Sequence, residues 1–167
     1  LATTAVDSIK DAFEGYSDDD RLLGPHALQA FAFVAGIGGL LANAARTDRL
    51  PDDLSPADIA LLGAATHKIS RIISRNEITN FVRAPFTRYE GRADLNEVNQ
   101  EPRGKGLRRA MGELLACPLC LGAWVAGGLT AGLAYAPKFT RTAAGAFAAL
   151  TVSDFLHVSY AKACRDA

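Results

Sequence analysis

Two uncharged stretches constrain this chain more than any motif in it. Between Arg21 and Arg46 lie 24 residues without Asp, Glu, Lys or Arg, and between Glu113 and Lys138 lie another 24. Roughly 20 predominantly apolar helical residues cross a hydrocarbon core, so each stretch is long enough to do so. The competing reading is a soluble, Ala-rich bundle whose buried helices lack charge. Soluble helices need a polar face, and two such gaps in 167 residues favour the membrane. The zero net charge gives no sign of nucleic acid as a partner. Three cysteines cannot all pair within the chain and form no spaced disulfide framework. The chain opens on Leu1, so the expectation is that its true start, with any targeting segment, lies upstream.

The fold class expected is an all-α integral membrane bundle of about four spans, near 25–45, 56–74, 114–136 and 141–163. In the first, Ala32/Gly36 and Ala35/Gly39 have the four-residue spacing that lets membrane helices approach closely, as do Gly128 and Gly132 in the third. The second opens on Ser55-Pro56-Ala57-Asp58, a capping Ser, a Pro at the first helical position and an early acid. It ends with Lys68, Arg71 and Arg75 on one stripe. That stripe reads either as the interfacial end of a marginal span or as cations facing Asp154 within the bundle. Pro137 is expected to end the third span, with a short loop from Pro137 to Arg141.

Ahead of the spans, residues 1–24 read as an amphipathic, acidic segment suited to packing on protein, with Ser17–Asp20 as a solvated turn. Residues 75–112 read as a hydrophilic loop, irregular with short helices, in which Gly106 to Leu115 forms an amphipathic approach to the third span. This loop holds eight Lys or Arg residues, against two each in the loops at Arg46–Leu54 and Pro137–Arg141. The positive-inside rule therefore places it, and both termini, in the cytoplasm.

Few residues offer chemistry. Cys117 and Cys120, in Cys-Pro-Leu-Cys, have ligand-type spacing, but a structural zinc needs four ligands. Cys164, His157, His67 and His26 are the remaining candidates. A dithiol–disulfide role is open, against a reducing cytoplasm; small packing residues at a helix entrance are the favoured reading. Asp154, His157 and Tyr160 step along one side of the fourth span. Ionisable groups within a membrane are costly, so Asp154 and His157 serve either a proton or ion relay or, for Asp154, an ion pair with Lys68 or Arg71. Phosphate loops, nucleophile elbows and zinc-protease motifs are absent from the sequence, and no cofactor is implied.

Three segments together carry a resemblance. Thr66–Thr79, Val82–Arg88 and Glu113–Trp124 resemble the bacterial DUF1360 family, whose members show an R-x-x-x-x-[DN] helix end, an R-x-P-F segment and a C-P-x-C-x-G-x-W motif. Cys117, Pro118, Cys120, Gly122 and Trp124 carry the last and most specific of these, while Asn76 stands where Asp is common. The resemblance runs from about Pro56 to Tyr160 and implies an integral membrane protein without supplying a reaction. The expectation is a non-enzymatic structural or anchoring subunit of the bacterial inner membrane. It would contact lipid, and would meet a protein partner or a second copy through its Gly/Ala faces and a basic loop bearing Arg83, Arg88, Arg108 and Arg109. A membrane thiol or metal-thiolate protein, and a small transporter or proton relay, are the alternatives.

Overall fold

The computed structural model describes residues 23–93 and 97–166. The acidic amphipathic segment ahead of the first helix, with Ser17–Asp20, lies outside them. The described residues are mostly helical. Helix α1 (Leu23–Arg46) carries Pro25 in its first turn, where a missing N–H leaves no broken bond. It widens into a π turn over Val34–Gly38, Val-Ala-Gly-Ile-Gly. The Thr47 hydroxyl and the Arg49 N–H close its end on the carbonyls of Asn43 and Ala44, at 2.8 and 2.9 Å.

Helix α2 (Pro56–Arg75) starts as its sequence dictates. Ser55 Oγ accepts from the Asp58 N–H at 3.1 Å, and the Asp58 carboxylate takes the Ser55 N–H in return. At Asn76 the chain turns extended, makes a 3-10 turn (Glu77–Thr79) and enters the short helix α3 (Asn80–Arg83). Strands β1 (Thr87–Arg92) and β2 (Val98–Pro102) follow as an antiparallel hairpin. Then come α4 (Gly106–Ala116), α5 (Pro118–Tyr135) and α6 (Pro137–Asp166).

The hairpin corrects the all-α expectation and the irregular loop. Thr87 and Val98 are buried, and Arg88 lies opposite Glu101, an opposite-charge pair of the kind that steadies strand pairing. Gly91, at φ +146°, sits beside the bulge that follows Tyr89, a backbone conformation that a side chain would strain. Helix α4, by contrast, forms where its amphipathic pattern placed it. The expected loop at Pro137–Arg141 does not form either. Helix α5 does end just before Pro137, but Ala136 alone separates it from α6, because Pro137 is also the first residue of the next helix.

Helix α2 packs against α5 and α6, and α1 lies outside α5. Side-chain pairs give the directions. Asp58 meets Arg141, the Ala64 carbonyl meets Thr151, and Lys68 meets Asp154, so α2 and α6 run parallel. Phe33 meets Trp124 and Asn43 meets Tyr135, so α1 and α5 run parallel too. Gly122 lies against Thr66, and the Ala136 corner brings the end of α5 towards Asp58 at the start of α2, so α5 runs antiparallel to α2.

Side-chain size is distributed inside out. Among the described residues, the buried apolar ones are six alanines with Leu121, Leu133 and Val98, and the largest fully buried side chains are Arg83, Val98 and Ser74. Leu119 is 87% exposed, Phe139 75% and Phe31 69%. Helices α1 and α5 are each long and apolar enough to cross a membrane.

The glycines divide in an unexpected way. A Cβ on Gly127 would reach 2.9 Å from Ile37 Cγ2, and one on Gly132 would reach 2.7 Å from Thr140 Oγ1, while Gly36, Gly39 and Gly128 face open space. The contacts of α5 thus run through Gly127 and Gly132, and Gly128 takes no part. Tightest of all is Gly112, where a Cβ would lie 2.5 Å from the Phe86 carbonyl oxygen, so α4 can sit on the hairpin only without a side chain there. Thermal unfolding should show Gly112→Ala destabilised by about 1–3 kcal/mol, with Gly128→Ala neutral or stabilised. Equal effects would contradict this packing.

Candidate functional site

The polar segments between α2 and α5 fold around one guanidinium. Arg83 is fully buried. Its Nη1 donates to the Ile73 carbonyl and, at 2.6 Å, to Thr79 Oγ1. Its Nη2 donates to the Asn76 carbonyl at 2.8 Å and to Asn80 Oδ1 at 2.6 Å. Its Nε donates to Gln100 Oε1 at 2.9 Å. No carboxylate is among these partners. The cation meets instead the carbonyls left open at the end of α2, where the helix dipole favours positive charge. Burial first, and the charge of Arg75 second, pull its pKa below the ordinary value. Arg83 therefore differs from the exposed, partner-facing residue expected of it: a buried cation survives by saturating its donors, and every partner lies within the module.

Gln100 links this knot to the hairpin, since its amide also donates to Asn80 Oδ1 at 2.6 Å and its oxygen takes the Thr87 hydroxyl at 2.8 Å. Arg88, Arg108 and Arg109 are exposed. Arg108 Nε donates to the Pro85 carbonyl at 2.9 Å, Arg109 Nε to Glu113 at 3.3 Å, and Arg88 lies on β1. Glu113 also takes His26 at 2.8 Å, tying the start of α1 to α4.

Beside this module, α2 and α6 open a cleft of about 530 Å³. Lys68 Nζ contacts Asp154 Oδ2 at 2.5 Å, and Arg71 Nε donates to Glu97 Oε1 at 2.9 Å. Of the two sequence readings of the stripe, the cations facing Asp154 describe Lys68; Arg71 turns to Glu97, at the mouth of β2. His67 stacks on Phe155, with centroids 6.3 Å apart, and His157 also lines the cleft. Sequence reasoning missed Glu97, Gln100 and the Arg83 knot. For Glu97 the only signal was an acid ahead of Val98, the residue that becomes buried.

The C-P-L-C turn is a helix start. Cys117 is the N-cap of α5, and its sulfur accepts the Cys120 N–H at 3.2 Å, with Pro118 at the first helical position. Both thiols are free, Cys117 partly buried and Cys120 exposed. Among the described residues no three His, Cys, Asp or Glu side chains group to hold a metal. Gly122 faces α2, and Trp124 meets Phe33 edge-on at 5.2 Å.

Two predictions follow from these geometries. Arg83→Lys cannot reproduce the five-bond fork, and each buried acceptor it orphans costs about 1–3 kcal/mol. Hydrogen exchange should then quicken in the hairpin and the last turn of α2 before α5 responds; uniform exchange would refute the knot. For the cap, Cys117→Ser should hold stability, whereas Cys117→Ala should lose roughly 1 kcal/mol in thermal melts.

No curated protein and no solved structure matches the chain. Residues 61–160, more than half of its length, match the model of a protein family of unknown function, DUF1360. That match takes in the end of α2, the Arg83 knot, the hairpin and the Cys117–Trp124 turn, and the chain belongs to the DUF1360 family.

Proposed function

We propose that the protein is a non-enzymatic, four-span protein of the bacterial inner membrane that anchors or braces a larger assembly through its polar module. The observation carrying this reading is the inside-out core. Alanines fill the helix contacts while Phe31, Phe139, Leu119 and Phe155 face outward, an arrangement that water penalises and lipid accepts. Helix length supports it: the 24 residues of α1 and the 20 of α2 extend about 36 and 30 Å at ~1.5 Å per residue. Two ion pairs join α2 to α6, Lys68 with Asp154 and Asp58 with Arg141, which lowers the cost of holding these four charges at membrane depth. Alternating helix directions bring the start of α1, the module and the last turns of α6 to one side, the cytoplasmic side by the charge of the loop.

The module supplies the docking face. Ile78 and Phe81 are each 76% exposed, and Arg92 reaches Glu77 in the same turn at 3.5 Å; exposed apolar anchors with a basic group close by suit a protein partner. The open face of α1 at Gly36 and Gly39 suits a second copy in the bilayer. A second reading, dithiol redox work, draws on Cys117 and Cys120 meeting at one helix start; replacing both with Ser and finding assembly unchanged separates it from anchoring.

The protein should resist carbonate extraction, and a cysteine placed at Arg88 should label from the cytoplasmic side while one at Asp52 labels from outside. Mild solubilisation should retain a protein partner that Phe81→Asp releases. A detergent-free soluble protein would overturn the membrane reading. A monomer with no retained partner would overturn the anchoring one.

A further inference from the structure

The cleft between α2 and α6 is built unlike the rest of the bundle surface. Two cations and two carboxylates meet there, each cation paired with one acid, so the four formal charges sum to zero. None of the four is saturated by the described residues. Asp154 engages through Oδ2 and Glu97 through Oε1, which leaves Asp154 Oδ1 and Glu97 Oε2 without a described donor. Arg71 gives Nε and Nη2 to the same Glu97 oxygen, leaving Nη1 free among the described residues, and Lys68 spends one of three donors. The two pairs stand one helical turn apart on α2, about 5–6 Å. Ile72, Phe155 and Val158 supply an apolar wall.

A purely anionic ligand would meet Asp154 and Glu97, and a purely cationic one would meet Lys68 and Arg71. A dipolar ligand satisfies both. We infer that this cleft binds the headgroup of a zwitterionic amphiphile carrying an ammonium and a phosphate on a two-carbon bridge, the chemistry of an aminoethyl phospholipid. The phosphate takes the spare donors of Arg71 and Lys68, and the ammonium takes the spare oxygens of Asp154 and Glu97. An acyl chain leaves along Phe155 and Val158, which are 63% and 46% exposed. The lipid source rests on the membrane reading above, because the cleft lies where helices α2 and α6 of the bundle meet the polar module. The charge arrangement does not depend on that reading.

The test uses the full chain in nanodiscs, with three lipids offered: phosphatidylethanolamine, phosphatidylglycerol and phosphatidylcholine. Native mass spectrometry should show phosphatidylethanolamine retained over the other two by about tenfold, which corresponds to one charge-assisted contact. Arg71→Gln should remove that preference. The exchange Lys68→Asp with Asp154→Lys keeps an ion pair between α2 and α6 but relocates its poles, and it should also lose the preference while thermal unfolding stays near that of the parent. Equal retention of the three lipids, or a preference untouched by both variants, overturns the site. Soluble glycerophosphoethanolamine forms the second arm. If it binds and the lipid does not, the lipid source is overturned while the ammonium-phosphate chemistry stands. This arm also works on protein that proves soluble without detergent, so failure of the membrane reading and failure of the cleft are told apart.

Discussion

One buried cation holds the family-matched region together. Arg83 draws the end of α2, α3 and β2 onto a single guanidinium, with five donors meeting two carbonyls, a hydroxyl and two side-chain amides. Neutral acceptors suffice because the end of α2 already offers negative potential. The arrangement is stiff, since a planar fork fixes angles that a lysine would leave loose. Everything downstream takes its position from this knot. The hairpin carries Glu97 to Arg71, Gly112 lets α4 lie on the hairpin, and α4 delivers Cys117 to the start of α5.

The bundle follows another logic. Most of its buried residues are Ala, Ser and Thr, and the Thr151 hydroxyl of α6 bonds to the Ala64 carbonyl of α2. Small contacts of this kind hold helices by close approach and hydrogen bonding, with little area removed from solvent. The module is held by saturated polar groups and the bundle by proximity, and the charged cleft lies on the boundary between the two.

Much of this was legible because local chemistry decided it. Ser55, Pro56 and Asp58 dictate the start of α2 whatever surrounds them, and Pro118 does the same for α5. The pairing of Lys68 with Asp154 was one of the readings that the sequence left open, because Asp154 offers one acid to two cations, Lys68 and Arg71, on the same stripe. Pro137 misled because proline both ends one helix and begins another, and only the single intervening residue reveals which applies. The role of Arg83 was hidden for a different reason. Its partners are backbone carbonyls and amides scattered from Ile73 to Gln100, and no charge pattern marks them. Likewise, four-residue glycine spacing names a stripe, but neighbouring helices choose which glycine on it they touch, here Gly132 and not Gly128.

The one-residue link at Ala136 has a wider consequence. Helices α5 and α6 cannot pivot independently there, because Ala136 donates back to the Gly132 carbonyl at 2.8 Å and accepts from Thr140 at 2.9 Å. At that end, among the described residues, lie this corner and the segment between Arg46 and Pro56. All the shape that distinguishes this molecule is gathered at the opposite end. Among the described residues its strands and its buried cation crowd one end of the helices, and the other end offers a corner and a loop.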